Sequence, residues 1–128
     1  MQEKNNPLSP HLQIYRWQIS SLLSITHRIV GVINILAISA ICFWSLFLLL
    51  GAESYEVLNI FFNSFFGKLI AVGLCWTFSF HILNELRHLF WDMGYGFDLK
   101  ISRITGVLAL VGSFVLTIIF YLIGKNFI

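Results

Sequence analysis

Three apolar runs constrain this chain more than any other feature. Residues 29–52 contain no formally charged side chain, and the run extends back to about Ser20 if Arg28 is accepted within it. Residues 104–124 are equally free of charge. A helix needs about 20 predominantly apolar residues to cross the hydrocarbon core of a bilayer, and both runs meet that length. The middle run behaves differently. Between Lys68 and Glu85 only residues 69–84 are uncharged, too few to span alone. Extension to about 61–91 supplies the length but takes His81, Glu85, Arg87 and His88 into the helix. Ionisable groups at membrane depth are costly and face protein, a cofactor or a water-filled cavity. Of the 128 residues, 58% are apolar and only 11% charged, too little charge for the surface of a soluble domain. The expected fold is therefore all-α and integral to the membrane, with transmembrane helices at about 20–50, 61–91 and 103–124. These belong to one membrane-anchor domain spanning 1–128.

The connections are short. Residues 51–60 form the first loop, broken by Gly51, Glu53, Ser54 and Glu56; residues 92–103 form the second, where Gly94 and Gly96 signal a helix end. Residues 1–19 read as an extended N-terminal arm, because Pro7 and Pro10 disfavour helix before them. Neither a secretory signal nor a transit peptide is expected in this arm. Cys42 and Cys75 have no metal-binding or redox spacing and read as small buried hydrophobes. A net charge of +2, with no basic run interleaved with aromatics, argues against nucleic acid as a partner.

Three crossings put the N-terminus and the second loop on one side. Lys4, Arg16, Arg28, Arg87, Lys100 and Arg103 fall there, against Lys68 and Lys125 on the other. The excess of Lys and Arg predicts a cytoplasmic N-terminus, or a matrix-facing one in a mitochondrion. Tyr15, Trp17, Trp91 and Tyr95 would form an aromatic belt at that interface, with Tyr55 and Tyr121 at the opposite one.

The polar residues fall into stripes. Ser24, His27, Arg28 and Gly31 are spaced i, i+3, i+4 and i+7, one face of the first helix. On the second, His81, Glu85, His88 and Asp92 follow i, i+4, i+7 and i+11. Arg28 lies ~12 Å along its helix from Ser20, and His81 ~15 Å inward from Trp91, at 1.5 Å per residue. Because the two helices are antiparallel, His81 and Arg28 reach similar depth from the same side, as a binding site requires. Neutral imidazole is a strong axial ligand for haem iron, and haem propionates need cations. His81 suits the first demand; Arg28 and His27 suit the second. Ser24 and Arg28 can also donate hydrogen bonds to quinone carbonyl oxygens. Three helices are one short of a haem bundle, so a second axial ligand would come from a partner.

The blocks Pro7-Leu8-Ser9-Pro10-His11-Leu12-Gln13-Ile14-Tyr15, Ser24-Ile25-Thr26-His27-Arg28, and His81 through Arg87-His88-Leu89-Phe90-Trp91-Asp92-Met93-Gly94 resemble the cytochrome b subunits of succinate dehydrogenase, the large b556/b560-type membrane anchors of respiratory complex II. The likeness extends over essentially the whole chain. It implies a heterodimeric haem-binding helix bundle, in which haem b is shared with a second small membrane-anchor subunit. Ubiquinone would be reduced at a junction with an iron–sulfur subunit, using electrons from succinate oxidised in a flavoprotein subunit. By resemblance His81 matches the haem iron ligand, Ser24 and Arg28 the ubiquinone-site residues, and His27 and Arg28 the propionate neighbours. Residues 5–17 would dock on the iron–sulfur partner. The chain alone would catalyse nothing. The implied location is a bacterial cytoplasmic (inner) membrane, multi-pass with a cytoplasmic N-terminus; the alternative is an organelle-encoded mitochondrial inner-membrane protein.

Three positions depart from the family pattern. Glu85 stands where a small residue is usual, Val30 where Ser or Thr is usual, and Asn5-Asn6 replace an Arg before the proline block. A carboxylate one turn from His81 would crowd a haem or hydrogen-bond His88. A haemless membrane anchor or assembly subunit of the same complex is therefore the second reading. Glu85-Leu86-Arg87-His88 also has the Glu-x-x-His spacing of carboxylate-bridged di-iron bundles, but the chain holds no second such motif, which sets a membrane di-iron oxidase behind both.

Overall fold

The computed structural model describes residues 16–49 and 51–127, without the side chains of 52–54 and 126–127. The proline block and most of the N-terminal arm lie outside the described residues. Every described element is helical: α1 (Ile19–Leu49), α2 (Ala52–Asn63), α3 (Phe65–Asp92) and α4 (Leu99–Phe127). Three segments, Ile19–Leu49, Phe65–Asp92 and Leu99–Lys125, are long and apolar enough to cross a bilayer. The expected all-helical membrane architecture is what the structure has, with one helix more than the sequence suggested.

That extra helix corrects the first loop. Residues 51–60, expected as a connection, are mostly α2, and 61–63 belong to α2 rather than to the second span. The chain leaves α1 through Gly51, whose φ of 118° is a left-handed value that glycine tolerates. α2 meets α3 at a tight corner. The Ser64 hydroxyl caps α3 by accepting from the Gly67 amide at 3.1 Å, and the Ser64 amide donates to the Phe61 carbonyl at 3.0 Å. A Cβ at Gly67 would run into that carbonyl oxygen and lie 2.7 Å from Phe62 Cα, so the corner admits only glycine. The aromatic run 61–66 hides the break, because hydropathy alone reads straight through it.

The other end of α3 closes as its glycines suggest. Gly94, with φ 86°, donates to the Trp91 carbonyl at 2.8 Å, while the Tyr95 amide donates to Phe90 at 3.0 Å. This pair of bonds is the Schellman arrangement that satisfies helix-terminal carbonyls. α4 then begins at Leu99 rather than 103, with the Asp98 carbonyl accepting from the Ser102 amide at 2.8 Å. Lys100 and Arg103 sit in its first turns, because loss of hydrophobicity marks the membrane boundary and not the helix boundary.

α3 is the central element, packed against both α1 and α4. Leu23 and Val30 of α1 and Phe80 of α3 are almost wholly buried, joined by Trp76 and Leu110. Arg87 apart, the remaining buried positions are small or polar, among them Ala37, Ala109, Asn34 and Asn84. Ser79, Ser113 and Thr117 return their hydroxyls to carbonyls of their own helices, and Asn34 reaches the Thr77 carbonyl across the α1–α3 interface at 3.5 Å. Small residues with self-satisfied hydroxyls let helices approach closely where lipid removes the usual hydrophobic drive. Most large apolar side chains instead face outward, as a lipid-facing or partner-facing surface requires. Cys42 is among the exposed residues and Cys75 is half-buried, so the expectation that both are buried fails for Cys42.

Candidate functional site

The N-terminal half of α1 crosses the C-terminal half of α3, and their polar residues converge there. The His27 ring lies flat on that of His81, with centroids 4.3 Å apart and planes 10° from parallel. His88 stands against the other side of the cluster, 5.4 Å from His27. The register argued from helix rise set Arg28 at the depth of His81; the α1 side chain that meets His81 is its neighbour His27, while Arg28 is exposed. Val30, expected to stand where Ser or Thr is usual, contributes to the core instead of the cluster. Gly31 faces His81: a Cβ there would sit 3.5 Å from the imidazole Cε1, and its absence keeps that side of α1 low.

Glu85 closes the group. Its Oε1 is 3.0 Å from His27 Nε2 and 3.8 Å from His81 Nε2, so the carboxylate meets these two rings and not the expected His88. The His27 contact is close but not aligned as an N–H···O bond, and His27 Nε2 and His81 Nδ1 are both buried without a hydrogen-bond partner. One ligand atom from each of His27, His81 and Glu85 lies within 4.8 Å of the other two. The Glu85 side chain is 55% exposed. Ser24 and Arg28 are also exposed, along the outer edge of α1. The cluster therefore opens to the outside of the bundle and is not sealed within it.

Arg87 is the polar residue whose role the sequence did not disclose. It is buried at 7% exposure and points to α4. Its Nη2 donates to the Ser102 carbonyl and hydroxyl, both at 3.0 Å, and its Nε to the Thr105 hydroxyl at 3.2 Å. Asn84 accepts from Nη1 at 3.5 Å. The guanidinium also lies 4.1 Å over the Trp91 ring, a cation–π contact strengthened by desolvation. Trp91 donates from Nε1 to the Gly96 carbonyl at 3.2 Å, tying the loop to the same network. The available signal was the Ser102–Thr105 spacing at the start of α4, three residues apart on one helix face.

Comparison with known proteins identifies the family. Residues 2–120 match the family model described as succinate dehydrogenase/fumarate reductase transmembrane subunit. The succinate dehydrogenase cytochrome b556 subunit of Rickettsia felis is 42% identical over 115 residues, covering 90% of each chain. That of Paracoccus denitrificans is 33% identical over 115 residues, covering 90% of this chain and 88% of its own. The cytochrome b560 subunit of Reclinomonas americana is 37% identical over 127 residues, covering 93% and 86%. Identity at this level over nearly the full length shows common descent of the whole helical unit. The chain belongs to the succinate dehydrogenase/fumarate reductase transmembrane subunit family, as a membrane cytochrome b subunit of succinate dehydrogenase.

Proposed function

We propose that this chain anchors a succinate:ubiquinone oxidoreductase in the membrane, carries haem b with a second small anchor subunit, and contributes to the ubiquinone-reduction site. The observation that carries the reading is the meeting of His27 and His81, from antiparallel helices, beside the exposed edge bearing Ser24 and Arg28. An iron–sulfur subunit and a flavoprotein subunit complete the complex, the latter oxidising succinate. The membrane is the bacterial cytoplasmic membrane, with the N-terminus on the cytoplasmic side.

The residues fit a haem. His81 offers a half-buried imidazole with a ring nitrogen that has no partner, Gly31 leaves room beside it, and the cluster opens toward the face a partner would cover. Glu85 must turn aside, which its exposure permits. A bound haem b supplies one-electron redox capacity at that depth. His81 would hold the haem iron from this chain, and His27 and Arg28 would offset the propionate charge. On the same edge Ser24 and Arg28 donate hydrogen bonds to the quinone carbonyl oxygens. Arg28, held in place before reaction, stabilises the negative charge that develops on a quinone oxygen as it is reduced. His27 Nε2, beside Glu85 Oε1, is the atom at which a proton can pass from the cytoplasmic side.

Ser24→Ala and Arg28→Leu separate the quinone role from anchoring. Both should reduce succinate:ubiquinone reductase activity by roughly tenfold or more, the loss of one charge-assisted donor being about 1.5–3 kcal/mol. Succinate-dependent reduction of an artificial dye by the soluble subunits should survive. Equal loss of the two activities would mean that assembly, not quinone binding, depends on these side chains.

A further inference from the structure

Lys68 and Lys125, the two basic residues on the sparsely charged side of the chain, come together. They line one cavity of about 730 Å³ where α2, α3 and α4 meet, at the opposite end of the bundle from the His27–His81 cluster. Tyr55 and Tyr121, the aromatics expected at that interface, line it too. So do Asn59 and Asn63. Asn63 donates to the Asn59 side-chain oxygen at 3.0 Å; with that oxygen engaged, Asn59 offers its amide N–H groups to a ligand. The other walls are apolar, formed by Phe62, Ala71, Val72 and Phe120. The cavity extends inward from Lys68 to Cys75 and from Lys125 to Thr117, ~10 and ~12 Å of helix at 1.5 Å per residue.

The charges call for an anion. Lys68 stands in the first turn of α3, which carries no acidic residue. The helix dipole adds positive potential there, so a lysine is unfavourable unless an anion lies near. Lys125 ends α4, where a cation suits the helix carbonyls, so Lys68 is the more telling of the pair. Among the described residues neither lysine pairs with a carboxylate. A small free anion would leave the apolar slot unfilled, and a neutral amphiphile would leave the lysines unmatched. We propose that this cavity holds one anionic phospholipid, its phosphate between Lys68 and Lys125 and one acyl chain along the apolar walls toward Thr117. Basic pockets between membrane helices recognise acidic headgroups in this way.

The test takes the succinate dehydrogenase complex purified in detergent, stripped of lipid and titrated with dioleoyl-phosphatidylglycerol. Native mass spectrometry counts the bound lipids and shows in the same spectra that each variant's complex is intact. The wild type should bind one phosphatidylglycerol more than Lys68→Gln/Lys125→Gln. Each single substitution should weaken that site about fivefold, and the pair about twentyfold. Gly124 lines the cavity, and a Cβ there would meet nothing within 4 Å. Gly124→Leu should therefore fill the space and remove the same lipid while keeping both charges. Lys100→Gln/Arg103→Gln, at the other end of α4, should leave it bound. Neither dioleoyl-phosphatidylcholine, sn-glycerol 3-phosphate nor decylubiquinone at equal concentration should displace it. Equal phosphatidylglycerol binding by the wild type and Lys68→Gln/Lys125→Gln, or displacement by any of those three, would overturn the anionic lipid site.

Discussion

α3 carries two polar stripes, and they are finished differently. Asn84, Arg87 and Trp91 face α4, where the Arg87 guanidinium meets Ser102, Thr105 and Asn84 and the face of Trp91. His81, Glu85 and His88 face α1 and the outside, where rings stack but buried nitrogens lack hydrogen-bond partners. A buried charge with its donors satisfied holds helices together. Buried polar atoms without a partner are costly and do not hold helices together in that way. The first stripe ties α3 to α4; the second, on the same helix and a few residues apart, is the one we propose for binding.

Arg87→Ala should give the largest effect. It removes several charge-assisted bonds and the contact over Trp91, and should destabilise the chain by about 3 kcal/mol. Titration with sodium dodecyl sulfate in mixed micelles, followed by tryptophan fluorescence, would show it. A neutral result would mean that α3 and α4 are held by packing alone. Ser102→Ala should cost less, about 1 kcal/mol, since it removes one hydroxyl from the network and interhelical bonds in membranes are individually modest. Glu85→Gln should be smallest, within about 0.5 kcal/mol, because the side chain is more than half exposed. A loss comparable to that of Arg87→Ala would erase the distinction between the stripes.

Much of this was legible in the sequence, for identifiable reasons. Long uncharged runs reveal spans because lipid cannot hydrogen-bond backbone, so only a helix of sufficient length serves. The helical period put Ser24, His27 and Arg28 on one face, and antiparallel register set Arg28 at the depth of His81; that His27 is the ring lying on His81 came only with the structure. Gly94 ended α3 because its φ suits glycine. The α2–α3 corner was hidden, since Ser64 and Gly67 sit among phenylalanines whose hydropathy gives no sign of a turn. Arg87 was seen only as an ionisable residue within a span: its partners lie 15 and 18 positions away, and their identity depends on how α4 docks. Glu85 was expected near His88 by helical spacing. It turned toward His27 because α1 supplies a half-buried imidazole on that side, which no pattern within α3 discloses.

The stripe facing α1 is proposed to hold a haem through His81. A dithionite-reduced minus oxidised spectrum of the detergent-purified complex, for wild type and His81→Leu, tests it most directly. A b-type haem signal is expected in the wild type and is lost in the variant while the partner subunits still copurify. A wild-type complex with its flavoprotein and iron–sulfur partners but no haem signal, or a signal unchanged in His81→Leu, would contradict it.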